Sequence, residues 1–436
     1  MFGLSKFGDG IGLHRIERFF QQMRIDRASL SRKSIVVTGS NGKGSTSRFI
    51  TAAIGATGLK VGCFTSPHLF DVRERFTLGD AMISKQEFDR HARTVLDFND
   101  AQPEGDRIGA FEFLFLLAVL WYQEKKPDAI VWEAGIGGRY DPVRSVCAVV
   151  SALTSIELEH TEILGATEEL IAYDKIDALA PGGTVVLSPG IDARLAARIG
   201  AYGRLSGKAA LNATFGRRVG PVTNTAKGAE FTYGLAANDP ASDTVVKLKL
   251  AGRHQVENAV TAVRTAETWL GARAHEHDAH LPQILEAVGN ARWAGRLERV
   301  ARTPDLWIDV GHTPKALDIV TSTYLEFMSR EKTLVVFGVS ASKEIAFIAE
   351  VAASRFDHFI LTRAHKAGAD PAVFADTFRR RSQDVTVEPD IAKATELARE
   401  RAAKEGLTVL AIGGMFLAVE VQHSWTGGDP EKLEFL

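Results

Sequence analysis

The sequence predicts an α/β protein of two consecutive, mostly parallel-sheet domains, and three observations carry that expectation. An apolar run, Ser34-Ile35-Val36-Val37, leads into the glycine-rich stretch Thr38-Gly39-Ser40-Asn41-Gly42-Lys43-Gly44-Ser45-Thr46, and residues 48–54 continue as a helix would. Strand, glycine loop and helix thus follow one another in P-loop order. Apolar strands then alternate with helices until the pattern breaks between Asn290 and Gly295. From Leu306 a second strand–helix alternation runs to Ile412, as in a Rossmann-like sheet. The expected organisation is a P-loop-type ATPase domain over residues 1–290 and a smaller Rossmann-like α/β domain over 291–436.

Taken in order, Ile11, Leu13, Ile16, Phe19, Phe20 and Met23 fall at helical spacing and predict a packing helix over 11–25. The phosphate loop follows. Its backbone N–H groups at a helix N-terminus suit an anion, and the helix dipole adds to the attraction. Lys43 would meet the outer phosphates and Ser45 could reach Mg2+. The loop is a variant, with Val37 where the general pattern has Gly and Gly44 where it has a hydroxyl. A second strand at 60–64 ends at Thr65-Ser66-Pro67-His68, a helix starts near Ser84, and Phe111 to Tyr122 reads as a strongly apolar helix. A third strand, 129–132, delivers Glu133 at its carboxyl end. Ligands gather at such ends in open α/β sheets, which sets Ser45, Ser66 and Glu133 along one edge. A fourth strand is expected over 146–153, a helix bearing Lys175 follows, and another strand spans 183–187. Short alternating runs over 205–250 predict small antiparallel strands, and 255–270 a helix. The second series places strands at 307–308, 333–337, 358–361, 385–387 and 408–412, with helices between them, the first from Pro314.

At 436 residues the chain can bury two or three cores, and its formal net charge of -2 lacks the basic stripe of a nucleic-acid binder. Cys63 and Cys147 form no metal-finger or disulfide spacing, which suits a reducing compartment. Residues 1–6 lack the apolar core of a signal peptide and no apolar run approaches a membrane span, so a cytoplasmic enzyme is expected.

Glu133 opens Glu133-Ala134-Gly135-Ile136-Gly137-Gly138-Arg139, whose glycines would let backbone approach a ligand closely. A carboxylate at a strand end either caps the following turn or binds Mg2+, which favours oxygen ligands shared with nucleotide phosphates. Ser66, Glu133 and His160 could meet at such a site, although His is an unusual Mg2+ ligand. Lys175, between Asp174 and Asp177, reads on its own as a solvated helix charge.

These stretches, together with Leu158-Glu159-His160-Thr161, Gly252-Arg253-His254-Gln255-Val256-Glu257-Asn258, Trp293-Ala294-Gly295-Arg296-Leu297-Glu298 and Asp309-Val310-Gly311-His312-Thr313-Pro314, stand in the order found in folylpolyglutamate and dihydrofolate synthases. The chain resembles that family, a branch of the Mur ligases, from Gly12 to Val421. The resemblance implies an ATP-dependent ligase in which a carboxylate is phosphorylated, an amine attacks the acyl phosphate, and phosphate leaves an amide. It implies that Gly39, Asn41, Gly42, Lys43, Gly44, Ser45, Thr46, Asn258, Arg296 and Asp309 bind ATP across two domains. It further implies two Mg2+ sites held by Ser45, Ser66, Glu133 and His160, with Lys175 carbamylated into an oxygen donor. Lys43, His160, Lys175, Asp309 and His312 would be catalytic. The implied partners are a pterin or folate acid and L-glutamate, with no nucleic acid and no membrane, and the implied state is a monomer.

The chain departs from the family at several points. Thr313 replaces an asparagine, Gly414 a serine, Pro142-Val143-Arg144 an Ala-Thr-Asn, and Leu78-Gly79-Asp80 an expected Asn-Gly. The changes fall where the two substrates should lie, making Arg144, His312, Thr313 and Gly414 candidate substrate residues. Two other readings therefore stand beside the folate one: a same-fold ligase for another acid and amine, and a nucleotide-binding regulator without turnover.

Overall fold

The structure, a computed structural model, describes Leu4 and residues 10–235, 243–271, 277–341 and 345–433. The leading segment read above for a signal peptide lies, apart from Leu4, outside the described residues.

An eight-stranded sheet organises the first domain, with strands β1 (Ser34–Thr38), β2 (Val61–Phe64), β3 (Phe76–Leu78), β4 (Ala81–Met82), β5 (Ala129–Glu133), β6 (Val150–Leu153), β7 (Thr184–Leu187) and β8 (Ala209–Asn212) in the order β4-β3-β2-β5-β1-β6-β7-β8. From β2 to β8 the pairs are parallel; β3 and β4 add an antiparallel hairpin at one edge. Every residue of β1, β2, β5 and β6 is buried, because helices cover both faces and leave no position for an outward polar residue. One covering helix, Ala110–Lys125, is apolar nearly all round and packs Phe115 and Tyr122 against Trp132. On the opposite face the phosphate-loop helix, Lys43–Gly55, shares a core with Arg253–Gly271.

Three expectations need correction here. The packing helix is shorter than 11–25: it spans His14–Gln22, with Ile16, Phe19 and Phe20 buried and Ile11 exposed. The strand expected over 146–153 begins only at Val150, because Asp141 caps a 3-10 turn over Pro142–Val146 and Cys147 leaves it at φ +53°. Within 205–250, Ala209–Asn212 joins the large sheet in parallel with β7. The antiparallel sheet starts only with β9 (Arg218–Val219), β10 (Thr223–Thr225), β11 (Gly228–Gly234) and β12 (Asp243–Lys247).

Residues 291–297 separate helix His277–Asn290 from the third sheet. That sheet contains β13 (Glu298–Ala301), β14 (Leu306–Ile308), β15 (Thr333–Phe337), β16 (His358–Leu361), β17 (Asp384–Val387) and β18 (Thr408–Ile412), ordered β13-β14-β18-β15-β16-β17. All pairs are parallel except β13 with β14, an antiparallel start that the alternation did not predict. Among the described residues no helix is long and apolar enough to cross a membrane.

Candidate active site

β1 ends in the phosphate loop, where Gly39 at φ +143° and Gly42 at φ +82° adopt backbone that side chains disfavour. Space forbids them as well. A Cβ on Gly39 would lie 1.9 Å from Thr154 Oγ1, and one on Gly42 would lie 2.5 Å from Asn258 Oδ1. The loop is thus wedged between the exit of β6 and helix Arg253–Gly271, with Asn258 against it. Thr154 Oγ1 donates to Asn41 O at 2.5 Å, and Asn41 N donates to Ser155 Oγ at 2.8 Å. Lys43 Nζ folds back to donate to Gly39 O at 2.8 Å and Ser40 O at 3.0 Å. The hydroxyls of Ser45 and Thr46, at the first turn of the helix, are buried without a hydrogen-bond partner. Buried polar groups are normally satisfied, so this pair fits phosphate oxygens and a phosphate-bound Mg2+. The structure also accounts for Gly44: a Cβ there would sit 3.0 Å from the indole nitrogen of Trp293, which packs on the loop helix.

At the end of β5, Glu133 is 3% exposed and accepts from Ser66 N at 3.0 Å. Burial pushes its pKa up to about 7, against the pull of Lys43, the Ser66 amide, Arg296 and Arg75. Cations from three segments thus act through their charge on this one carboxylate. Arg75 was not singled out from the sequence; its burial lowers its pKa to about 10, and its Nε donates to His68 Nδ1 at 2.8 Å. The only local signal for it was the Glu74-Arg75 pair after the Ser66-Pro67-His68 turn.

The glycines after Glu133 lie in a loop held by two carboxylates. Asp141 Oδ2 accepts from the Gly135 and Ile136 amides at 2.8 and 3.0 Å, and Asp174 Oδ1 from those of Gly138 and Arg139 at 2.9 and 3.3 Å. A Cβ on Gly138 would lie 2.4 Å from Lys175 O, and one on Gly135 would lie 3.0 Å from the Phe111 ring. The loop is glycine-rich because it packs directly on the helix that carries Lys175.

That helix, Glu168–Ile176, buries Ile171, Ala172 and Ile176, and Lys175 is 2% exposed, which overturns the reading of a solvated charge. Its Nζ donates to Glu159 Oε1 at 2.7 Å. Burial and then the charge of Lys43 lower the Lys175 pKa, while Glu159 holds it up. Burial acts to raise the Glu159 pKa, but Lys175 and then Lys43 bring it below the usual value. Glu159 is a second residue missed in the sequence, hidden beside His160 in the same motif. His160 is exposed, at φ +45°, before the short helix Thr161–Leu164. The structure joins the Ser66 amide to Glu133 and leaves the His160 side chain exposed. Among the described residues, no three His, Cys, Asp or Glu side chains converge as a metal cage.

The second domain presents a different edge. Asp309 is 4% exposed and accepts from Leu297 N at 2.8 Å and Gly311 N at 2.7 Å, so it fixes the 295–311 junction beside the half-buried Arg296. Burial raises the Asp309 pKa, and Arg296 opposes that. His312 is exposed. The Thr313 hydroxyl, expected to face substrate, caps helix Pro314–Leu325 by accepting from Ala316 N at 3.2 Å, as the lost asparagine could also have done. Gly414 has extended backbone, and a Cβ there would meet only His312 Cβ at 4.0 Å. Arg144 is exposed and donates to Arg139 O at 2.7 Å, closing the glycine loop. Across the domains Lys315 Nζ pairs with Glu157 Oε1 at 3.1 Å, and Glu157 N donates to Ser40 Oγ in the phosphate loop at 3.0 Å.

The Mur ligase glutamate ligase domain matches residues 295–415. A Halobacterium salinarum protein named as a bifunctional folylpolyglutamate synthase/dihydropteroate synthase is 32% identical over 400 residues, 90% of this chain and 47% of its own. The chain therefore spans about half the length of that relative, as it does of the Haloferax volcanii protein of the same name. The Bacillus subtilis dihydrofolate synthase/folylpolyglutamate synthase is 28% identical over 352 residues, 78% of each chain. In fold the chain resembles Mycobacterium tuberculosis folylpolyglutamate synthase, solved with ADP and AMPPCP, with a TM-score of 0.80, 24% identity and 96% of each chain covered.

Proposed function

We propose, from the premise that this chain belongs to the folylpolyglutamate synthase/dihydrofolate synthase family of Mur ligases, that it is an ATP-dependent ligase joining L-glutamate to a pteroate or folate carboxylate. The observation that carries the reading is the pair of unpartnered hydroxyls, Ser45 and Thr46, in a loop whose lysine shares its field with Glu133, Lys175 and Glu159. The names of the relatives supply the substrates, and a cytoplasmic monomer is the form we infer from the resemblance.

In this reading the acid's carboxylate attacks the γ-phosphorus of ATP, giving an acyl phosphate and ADP. The amine then attacks the acyl carbon, and the tetrahedral adduct expels phosphate. Lys43 leaves its two loop carbonyls for the outer phosphates, and Arg296 adds charge from the domain junction. Asn258 borders the loop where nucleotide would lie, and Asp309 holds the junction rigid. Mg2+, held through Ser45, Ser66, Glu133 and His160 together with phosphate oxygens, would neutralise charge on the transferred group. The lowered Lys175 pKa favours the neutral amine, the form that adds CO2. The resulting carbamate would supply an oxygen donor and keep an N–H for Glu159. The exposed His312 and the neighbouring Gly414, where an added Cβ would lie 4.0 Å from His312 Cβ, would meet the incoming amine.

A second reading keeps this chemistry and changes the acid or the amine. The observation that favours it is Gly414, where an added Cβ would meet only His312 Cβ at 4.0 Å and the family's hydroxyl is missing. Phosphate release from purified protein with ATP and Mg2+, across dihydropteroate, tetrahydrofolate and other acids with and without glutamate, separates the readings. Glutamate-dependent turnover of a pterin acid supports the first, turnover only of other pairs supports the second, and none with any pair leaves a nucleotide-binding regulator.

A further inference from the structure

We propose that Asp174 is a positioning residue for this reaction: it locks the glycine loop that follows Glu133 onto the helix that carries Lys175. The proposal rests on the functional reading above. Asp174 is 8% exposed, and its Oδ1 receives both the Gly138 and the Arg139 amides. A Cβ on Gly137 would lie 2.4 Å from that same oxygen, so loop and carboxylate are in direct contact. The backbone surface is equally close, since a Cβ on Gly138 would lie 2.4 Å from Lys175 O and 2.8 Å from Asp174 O. The other end of the loop is anchored by Asp141, which takes the Gly135, Ile136 and Val143 amides.

Glu133 and Lys175 come from elements that are not neighbours in sequence, a strand end and a helix. Each can be held rigid within its own element, but their separation is set where the elements touch. Consecutive helical residues point about 100° apart, so Asp174 can turn to the loop while its neighbour Lys175 turns to Glu159. Asp174 thereby ties the helix that carries Lys175 to the loop that follows Glu133. Arg139, whose amide Asp174 holds, sends its own side chain to Asp177 at 3.0 Å, one turn further along the chain. A small displacement of a positioned group costs rate far more than binding, because only the reacting geometry depends on it.

The test compares Asp174→Ala, which removes the acceptor, with Asp174→Asn, which keeps a carbonyl oxygen in its place. Hydrogen exchange of the full chain, without any ligand, reads the tie itself. In Asp174→Ala the amides of 138–139 should exchange at least tenfold faster than in wild type, and in Asp174→Asn within about threefold of it. Turnover is read with whichever acid and amine the wild type accepts. Asp174→Ala should lower kcat by roughly fiftyfold with the KM for ATP changed less than about threefold, and Asp174→Asn should recover kcat to within about fivefold. Unchanged exchange in Asp174→Ala, retained kcat in that variant, or an Asn variant as slow as the Ala one overturns the proposal. If Asp174→Ala does not fold, Asp174→Asn decides alone: kcat within fivefold supports the proposal, and a larger fall overturns it. If the wild type turns over no pterin acid, the functional reading fails, while the exchange comparison still judges the tie.

Discussion

Glu133 to Lys175 in the first domain and Asp309 to Gly414 in the second, the two edges of the proposed site, differ in construction. In the first, carboxylates and cations are buried and satisfied by each other or by loop amides: Glu133 with Ser66, Lys175 with Glu159, Asp174 with Gly138. In the second, Asp309 and Thr313 are committed to their own backbone, His312 is exposed, and Gly414 is bare. Replacing a member of a buried cluster leaves a charge without its partner, whereas a glycine with open space before it, such as Gly414, can change with little structural cost. Three of the departures, at Thr313, Gly414 and Arg144, fall on residues outside the buried charge cluster, and a fourth, Leu78-Gly79-Asp80, lies in the β3–β4 hairpin. Under the proposed function, the phosphate chemistry would draw on the buried cluster and substrate choice on the second edge.

The comparison breaks most directly at Lys175. Lys175→Ala should lower kcat by about a hundredfold or more, a loss of roughly 3 kcal/mol in the transition state. Added formate or acetate should restore part of it if the lysine acts as a carbamate; full activity in the variant refutes that role. A second test reads the burial of Glu133. Its folded pKa, about 7, lies above the ordinary value of 4.5, so the folded state holds the extra proton between these pH values. The stability this contributes is complete below pH 4.5 and is lost as pH rises through 7. Glu133→Gln should therefore flatten the decline and be more stable than wild type at pH 8, by up to about 3 kcal/mol, with the gap closing toward pH 4.5. Denaturant titrations across that range check it, and parallel curves would show that the carboxylate is not desolvated.

Smaller effects belong to the second edge. Gly414→Ser should leave the melting temperature unchanged, because its backbone is extended and the added Cβ finds only His312 at 4.0 Å. It should shift kcat/KM for the amine by about tenfold, read by varying glutamate at saturating ATP and acid. Thr313→Ala should cost about 1 kcal/mol of stability through the lost helix cap, and Thr313→Asn should restore it. A change in amine selectivity in Thr313→Ala at equal stability would return the hydroxyl to a substrate role.

Much of the fold was legible because its signals are local. The apolar run of β1, the positive-φ glycines and the helix after Lys43 are contiguous, and the five strands read in the second domain recur within a residue or so of their expected places. The capping boxes of Asp71 and Ser84 are local in the same way. What escaped was set at a distance. Strand β8 looks like its antiparallel successors until β7 lies beside it. A lysine flanked by two aspartates reads as solvated until its helix is packed, and here the flanking Asp174 binds the glycine loop while Lys175 is enclosed with Glu159.

The sequence by itself determined the order of elements and the presence of a phosphate loop, because dihedral preference and apolar period act within a few residues. Tertiary structure alone decided why Gly44 follows Lys43, why Gly135, Gly137 and Gly138 lack side chains, and why Lys175 is buried. Each answer is a side chain or backbone group brought from far along the chain: Trp293 over the loop helix, Phe111 and Asp174 against the glycines, Glu159 on the lysine. The physical reason is excluded volume and charge pairing between segments that meet only when the sheet has formed.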